Sequence, residues 1–227
     1  MTTTPFNIIP GFAVPFVHTQ VPDSEDLNRR LLELFRAKAS DGAVFANPQP
    51  SMHASPGLFE SRFDLFRWEE PSVQALARFC SAALYKTVQE LNGYGEDEIN
   101  DLQMASDAWF HLTSKGGSFG LHNHPMASWS GIYCVDSGYH ADQEPASGCV
   151  HFMHPASTAG MFVDLGVANI RAPWAIRPRE YRLRPGQVVL FPSWVLHQVS
   201  PYLGESQRVT VAFNVWFRKQ QSSAKLD

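Results

Sequence analysis

Residues 118–131 read SFGLHNHPMASWSG, and the two histidines within it, His122 and His124, organise the reading of the whole chain. In an extended strand, side chains two residues apart project to the same face, so both imidazoles turn inward while Asn123 turns away. A third histidine, His197, follows in FPSWVLHQVSPY (191–202), and a cation, Arg208, in SQRVTVAFNVWF (206–217). A lone histidine in an apolar run is more often a satisfied core or surface residue than a ligand. A His-x-His pair joined by a third histidine at the end of another strand is a different pattern. It offers three imidazoles to one metal and leaves coordination positions open, the arrangement of a reactive centre rather than of a structural staple. Imidazole binds metal only when unprotonated, so affinity is expected to fall as the pH drops through about 6.5.

Around this pattern the chain reads as a series of short strands. WSGIYCV, GCVHFM, EYRLR, QVVLF and RVTVAFNVWF are rich in β-branched and aromatic residues and are separated by Gly- and Pro-containing links. Many short strands in series predict a sandwich or jelly roll, whose mouth is a usual place for a small-molecule site. In the last strand Val209, Val211, Phe213, Val215 and Phe217 alternate with Arg208, Thr210, Ala212, Asn214 and Trp216, which gives one apolar face and one chemical face. Before Asp107 the periodicity is helical. One helix is expected from about Ser24 to Ala39, with Leu27, Leu31, Leu34 and Phe35 on one side. A second runs from about Ser72 to Leu91 through Val73, Leu76, Cys80, Leu84 and Leu91, with Pro71 at its start and Gly93 at its end. Both are expected to pack on the outside of a sheet, a mainly β fold with flanking helices (α+β).

The 227 residues suffice for one large domain with a well-buried core. A hydrophobic fraction of 44% and a net charge of −4 fit an ordinary globular protein and give no electrostatic case for a nucleic-acid partner. No stretch approaches the roughly 20 apolar residues that span a bilayer. The segment MTTTPFNIIPGFAVPF lacks a basic region and is interrupted by Pro5, Pro10 and Pro15, so no signal peptide is expected. Cys80, Cys134 and Cys149 make neither a disulfide framework nor a zinc module, and a reducing cytoplasm is the simplest setting.

The segment from about Asp107 to Phe217 resembles the double-stranded β-helix oxygenases dependent on Fe(II) and 2-oxoglutarate, in particular a bacterial and phage branch. That branch reads H-x-H-P, S-G-x-Y, F-P-S-x-x-x-H and R-x-[ST]-x-x-x-N, which stand here in order as HNHP, SGIY, FPSWVLH and RVTVAFN. The resemblance implies a jelly-roll, cupin-like fold in a single domain, 1–227, with 1–106 as a support region and 107–217 as the catalytic core. It implies iron held by His122, His124 and His197, and Arg208 on the distal carboxylate of the cosubstrate 2-oxoglutarate. A guanidinium binds a carboxylate through two parallel hydrogen bonds and stays charged in a dry pocket. Thr210, two residues on, adds a hydroxyl donor on the same face. The activity implied is hydroxylation of an organic substrate, a small molecule or a protein side chain, with release of succinate and CO2.

Most of the wider superfamily carries His-x-Asp or His-x-Glu where this chain has His122-x-His124. Three readings follow: His124 is a neutral third ligand; it stands aside for a halide or water; or a carboxylate such as Asp136 or Asp164 completes the site. The same strands also fit much of the cupin pattern, with Gly116 before the first pair and Gly186 and Pro192 before His197. The cupin Glu is missing, and Trp194 and Pro201 replace the usual Gly and Asn. A three-His cupin dioxygenase that does not use 2-oxoglutarate and a non-catalytic β-helix binding module are the competing readings, and Arg208 favours the cosubstrate-dependent one. The irregular excursion from Met161 to Pro178 reads as a lid or wall in which Trp174 and Arg171 are candidate substrate contacts. His151 and His154 read as structural or supporting residues, and His111 as a neighbour of the site.

Overall fold

The computed structural model describes residues 8–9, 11–139, 144–157 and 162–220, so Pro5, Pro10 and Met161 lie outside the described residues. In chain order the elements are β1 (Val17–Gln20), α1 (Glu25–Ser40), α2 (Gly42–Phe45), β2 (Leu58–Glu60), α3 (Pro71–Asn92), α4 (Glu96–Asn100) and β3 (Leu102–Thr113). There follow β4 (Phe119–His122), β5 (Trp129–Asp136), β6 (Val150–Phe152), β7 (Arg179–Tyr181), β8 (Gln187–Pro192), β9 (His197–Val199) and β10 (Arg208–Lys219). A six-stranded sheet runs β1-β8-β5-β10-β3-β2 and a four-stranded sheet β4-β9-β6-β7. Every strand pair is antiparallel. Together the sheets form a jelly roll.

The two helices expected from periodicity are present and cover the outer face of the larger sheet. α1 has Glu25 and Asp26 in its first turn and Lys38 in its last, charges that oppose the helix dipole at both ends. Its Leu31 and Phe35 are fully buried, and the Phe35 ring stacks on Phe110 of β3 at 4.3 Å between centroids. α3 starts with Pro71 in its first turn, where a missing N–H costs nothing, and ends at Gly93, whose φ of 67° is the left-handed stop that a glycine accepts freely. Val73, Leu76, Cys80 and Leu84 are buried as their spacing predicts, but Leu91 is 53% exposed, because the last turn of α3 runs past the core.

The larger sheet is therefore buried on both faces. Leu190, Tyr133, Val209, Val211, Phe213 and Val215 meet the helices, while Ile132, Cys134, Val189 and Phe191 face Val150, Phe152 and Val195 of the smaller sheet region. The β10 strand sits at the centre, paired with β3 from Arg208↔Thr113 to Lys219↔Leu102 and with β5 on its other side. The strands expected at WSGIYCV, GCVHFM, QVVLF and RVTVAFNVWF form, while the one expected at EYRLR is the short β7, which starts one residue earlier and ends at Tyr181. β1 and β2, which periodicity did not announce, join the larger sheet from the N-terminal segment, and β3 begins before Asp107, so the change of character there falls inside a strand. Among the described residues no helix is long and apolar enough to cross a membrane.

The helix-side packing is tight at Gly131 in β5, where a methyl group would collide with the Phe213 ring and stand 2.9 Å from Leu190. Gly131→Ala is expected to destabilise the fold by about 1–3 kcal/mol through overpacking. Thermal or denaturant unfolding measures it, and a variant as stable as the parent would show that this interface yields.

Candidate metal centre

The antiparallel pairing of β4 with β9 places His122 directly opposite His197. Cross-strand partners project to the same face, so the two rings meet with centroids 4.2 Å apart. His124 reaches them by another route. β4 ends at His122, and His124 lies beyond it, anchored by its backbone N–H on Ser193 O at 2.9 Å. Both imidazoles turn inward as expected, but the device is a strand end followed by a pinned turn, not one continuous strand. The ring of His124 stands 5.0 Å from His122 and 5.3 Å from His197, and one nitrogen from each of the three histidines lies within 4.8 Å of the others. Among the described residues this is the sole group of three or more such side chains close enough to hold an ion, and no carboxylate belongs to it. Asp136 and Asp164 are occupied elsewhere, each accepting the backbone N–H two residues on, from Gly138 and Gly166.

The protonation of the cage is set by its surroundings. The Nδ1–H of His122 donates to Gly120 O at 2.7 Å and that of His197 to Val195 O at 3.0 Å, so in both rings Nε2 keeps a free lone pair. Burial lowers all three pKa values. His122 is pulled down chiefly by desolvation, His124 to about 4 by desolvation and by His122, and His197 well below the ordinary value by desolvation and its two neighbours. The expected loss of metal affinity near pH 6.5 thus moves to more acidic pH. The imidazoles are neutral at pH 7 and available to a cation.

A buried carboxylate stands nearby. Glu60 of β2 faces His111 of β3, its Oε2 lying 3.2 Å from His111 Nε2, with the Trp109 indole nitrogen 3.1 Å from the same atom. Burial pushes the Glu60 pKa up, but His111 and the 2.7 Å bond from Asn47 outweigh it, so the group is held ionised. His111, read from the sequence as a neighbour of the site, lines the same cavity as the three histidines. Glu60 was not foreseen, since a three-residue strand shows no period.

The opposite end of the cavity is formed by β10. Arg208, Thr210, Ala212 and Asn214 line it, the face predicted from alternation. Arg208 is 6% exposed, and its Nη1–H points to Thr210 Oγ1 at 3.4 Å. No carboxylate pairs with it among the described residues, which leaves an uncompensated buried cation, a costly state unless an anion arrives. Its cross-strand partner Thr113 carries a buried hydroxyl with no hydrogen-bond partner among the described residues. Space for the Arg208 side chain is kept by Gly148, whose φ is 63° and where a Cβ would stand 2.9 Å from Arg208 Cδ. Ser130 Oγ lies 2.8 Å from Ser193 Oγ and donates to Asn214 Oδ1 at 2.7 Å, which fixes the Asn214 amide on the cavity wall. Alternation along β3 put Thr113 on the face of His111, a signal that could have found it; nothing in the sequence singled out Gly148.

The remaining candidates fall elsewhere. His151 is held by Ser200 at 2.7 Å and faces Glu180, a structural role. His154 and Trp174 line a separate cavity beside the site, and Arg171 lines neither.

The chain is similar to known proteins in sequence over the site strands and in fold over most of its length. Residues 107–214 match the family described as "Putative 2OG-Fe(II) oxygenase". Among solved structures, a prolyl-4-hydroxylase from Pseudomonas putida is similar with a TM-score of 0.56 at 16% identity, covering 91% of this chain and 94% of the other. A prolyl hydroxylase from Trichoplax adhaerens, in complex with a hypoxia inducible factor fragment, gives 0.55 at 13%, covering 88% and 83%. The epimerase SnoN from nogalamycin biosynthesis, in complex with Fe3+, alpha ketoglutarate and nogalamycin RO, gives 0.58 at 12%, covering 92% and 83%. No curated protein sequence matches the chain. At these identities the solved structures establish the fold, a double-stranded β-helix with helices on its outer face, and the family match lies on the strands that build the site. Residues 107–214, just under half of the chain, are thus similar to the 2OG-Fe(II) oxygenase family.

Proposed function

We propose that the protein is an Fe(II)- and 2-oxoglutarate-dependent dioxygenase that hydroxylates an organic substrate and releases succinate and CO2. The observation that carries this reading is the buried, uncompensated Arg208 guanidinium on the cavity that also holds three neutral imidazoles. Fe(II) and 2-oxoglutarate, when bound, supply oxidative decarboxylation coupled to oxygen insertion, chemistry that side chains alone do not provide. His122, His124 and His197 are the iron ligands. Their three neutral rings lack the negative charge of the commoner His/carboxylate set, and the ionised Glu60 behind His111 offsets part of that deficit. Arg208 takes the distal carboxylate of the cosubstrate, and Thr210 and Thr113 offer hydroxyl donors to it. Phe119 and Phe191 line the cavity and keep water from it. Asn214, fixed by Ser130, presents its amide to whatever lies between the metal and the mouth.

Three outcomes are expected. His122→Ala and His197→Ala each abolish stoichiometric binding of Fe(II) under anaerobic conditions, or of Mn(II) followed by electron paramagnetic resonance, and His124→Ala weakens it. Wild-type affinity in both of the first two variants would remove the proposed site. In wild-type protein Mn(II) affinity stays level as the pH falls through 6.5 and is lost only below it, because lowered imidazole pKa values delay competition by protons. Anaerobic Fe(II) protein titrated with 2-oxoglutarate develops the weak visible band of a chelated keto acid. Arg208→Ala raises the dissociation constant about ten- to a hundredfold, the loss of roughly 1.5–3 kcal/mol, while iron stays bound. Bound iron with neither band nor succinate would point instead to a dioxygenase that oxidises its substrate without the cosubstrate.

A further inference from the structure

A second cavity, of about 390 Å3, opens beside the metal centre and lies within the range of roughly 300–1,000 Å3 that small-molecule sites occupy. The segment before β1 and the stretch leading into β7 wall it, and its floor is formed by Phe152 and Val195. The floor touches the candidate iron site. The Phe152 ring stands 5.6 Å from the His197 ring, and Val195 supplies the carbonyl that fixes the His197 tautomer. A molecule resting there is one aromatic ring away from the cage.

The lining has a definite chemistry. Phe12, Phe16 and Trp174 present apolar surface, and Phe12 is fully exposed while Trp174 is 46% exposed. Large aromatic side chains held open at the rim of a cavity mark a surface meant to be covered. Two guanidinium groups, Arg177 and Arg179, stand at the same cavity, and neither forms an ion pair with a carboxylate among the described residues. His154 adds a third donor: its Nδ1 accepts the Ala156 backbone N–H at 3.0 Å, which leaves Nε2 to carry the proton. Apolar walls with paired cations at one side suit a ligand of matching polarity.

We propose that this cavity is the primary-substrate site and that it selects a molecule with an apolar, ring-bearing body ending in a carboxylate. The proposal rests on the reading of the three histidines as an iron site, and it deepens that reading by naming the substrate class. The carboxylate lies on Arg177 and Arg179, the ring system packs against Trp174 and Phe16, and the far end of the body points past Phe152 toward His197.

The test uses the full chain and two probes of one shape, 2-naphthoate and the neutral 2-naphthamide. By calorimetry, naphthoate is expected to bind metal-free protein at least tenfold tighter than the amide. The double variant Arg177→Gln, Arg179→Gln loses that tenfold for naphthoate and leaves the amide unchanged. Its thermal stability stays that of the parent, since both positions are exposed. With Mn(II) loaded, the naphthoate proton resonances broaden, reporting a position close to the metal. Equal binding of the two probes, unchanged naphthoate affinity in the double variant, absence of broadening with Mn(II) bound, or displacement of naphthoate by 2-oxoglutarate would each overturn the proposal. Failure of the iron reading shows separately, as loss of the keto-acid band in a protein that still discriminates naphthoate from its amide.

Discussion

The parity of β10 is the constraint on which the rest depends. Its odd-numbered residues from Val209 to Val215 are fully buried against the helices, and its even-numbered residues from Arg208 to Asn214 line the cavity. Side chains along a strand repeat every two residues, so a slip of one position would drive Arg208 into the aliphatic layer and turn valines toward the imidazoles. Pairing on both sides opposes such a slip. β3 runs alongside over the whole strand, and β5 holds the other edge with an irregularity between Val209 and Thr210, next to Arg208. The same ladder therefore fixes the core and places the cation.

The smaller sheet contributes less burial and more chemistry. β4 and β9 are four and three residues long, yet their register sets His122 opposite His197. Strands this short gain little from their own hydrogen bonds. They are held by Phe152 and Phe191, which pack against His197 from two sides with centroids at 5.6 and 4.9 Å. The geometry of the imidazole cage rests on aromatic packing, and desolvation from that packing is what keeps His197 neutral.

Much of this was legible in the chain. The alternation of β10, the three histidines, both long helices and the strands from Trp129 onward followed from periodicity, because each is long enough or rich enough in β-branched and aromatic residues to carry a signal. β2 and β1 escaped because three or four residues hold at most two full periods, and with β2 went Glu60. The turn that delivers His124 escaped because it depends on a carbonyl at Ser193, nearly seventy residues away, which no local pattern encodes. Long-range polar closure of this kind, like the empty space that Gly148 leaves for Arg208, exists only once the sheets are assembled.

Among the described residues between β6 and β7, 153–157 and 162–178, none belongs to a helix or to a strand of either ladder. Changes of length or composition there leave the strand registers, and hence the imidazole cage and Arg208, where they are. On the reading proposed above, selection for a new substrate acts on one wall of the mouth without first dismantling the imidazole cage, and the cost of each trial is confined to residues outside the strand ladders. Such a division lets a lineage explore what it oxidises while conserving how it oxidises. Descendants would be expected to differ most in this stretch and least along β9 and β10.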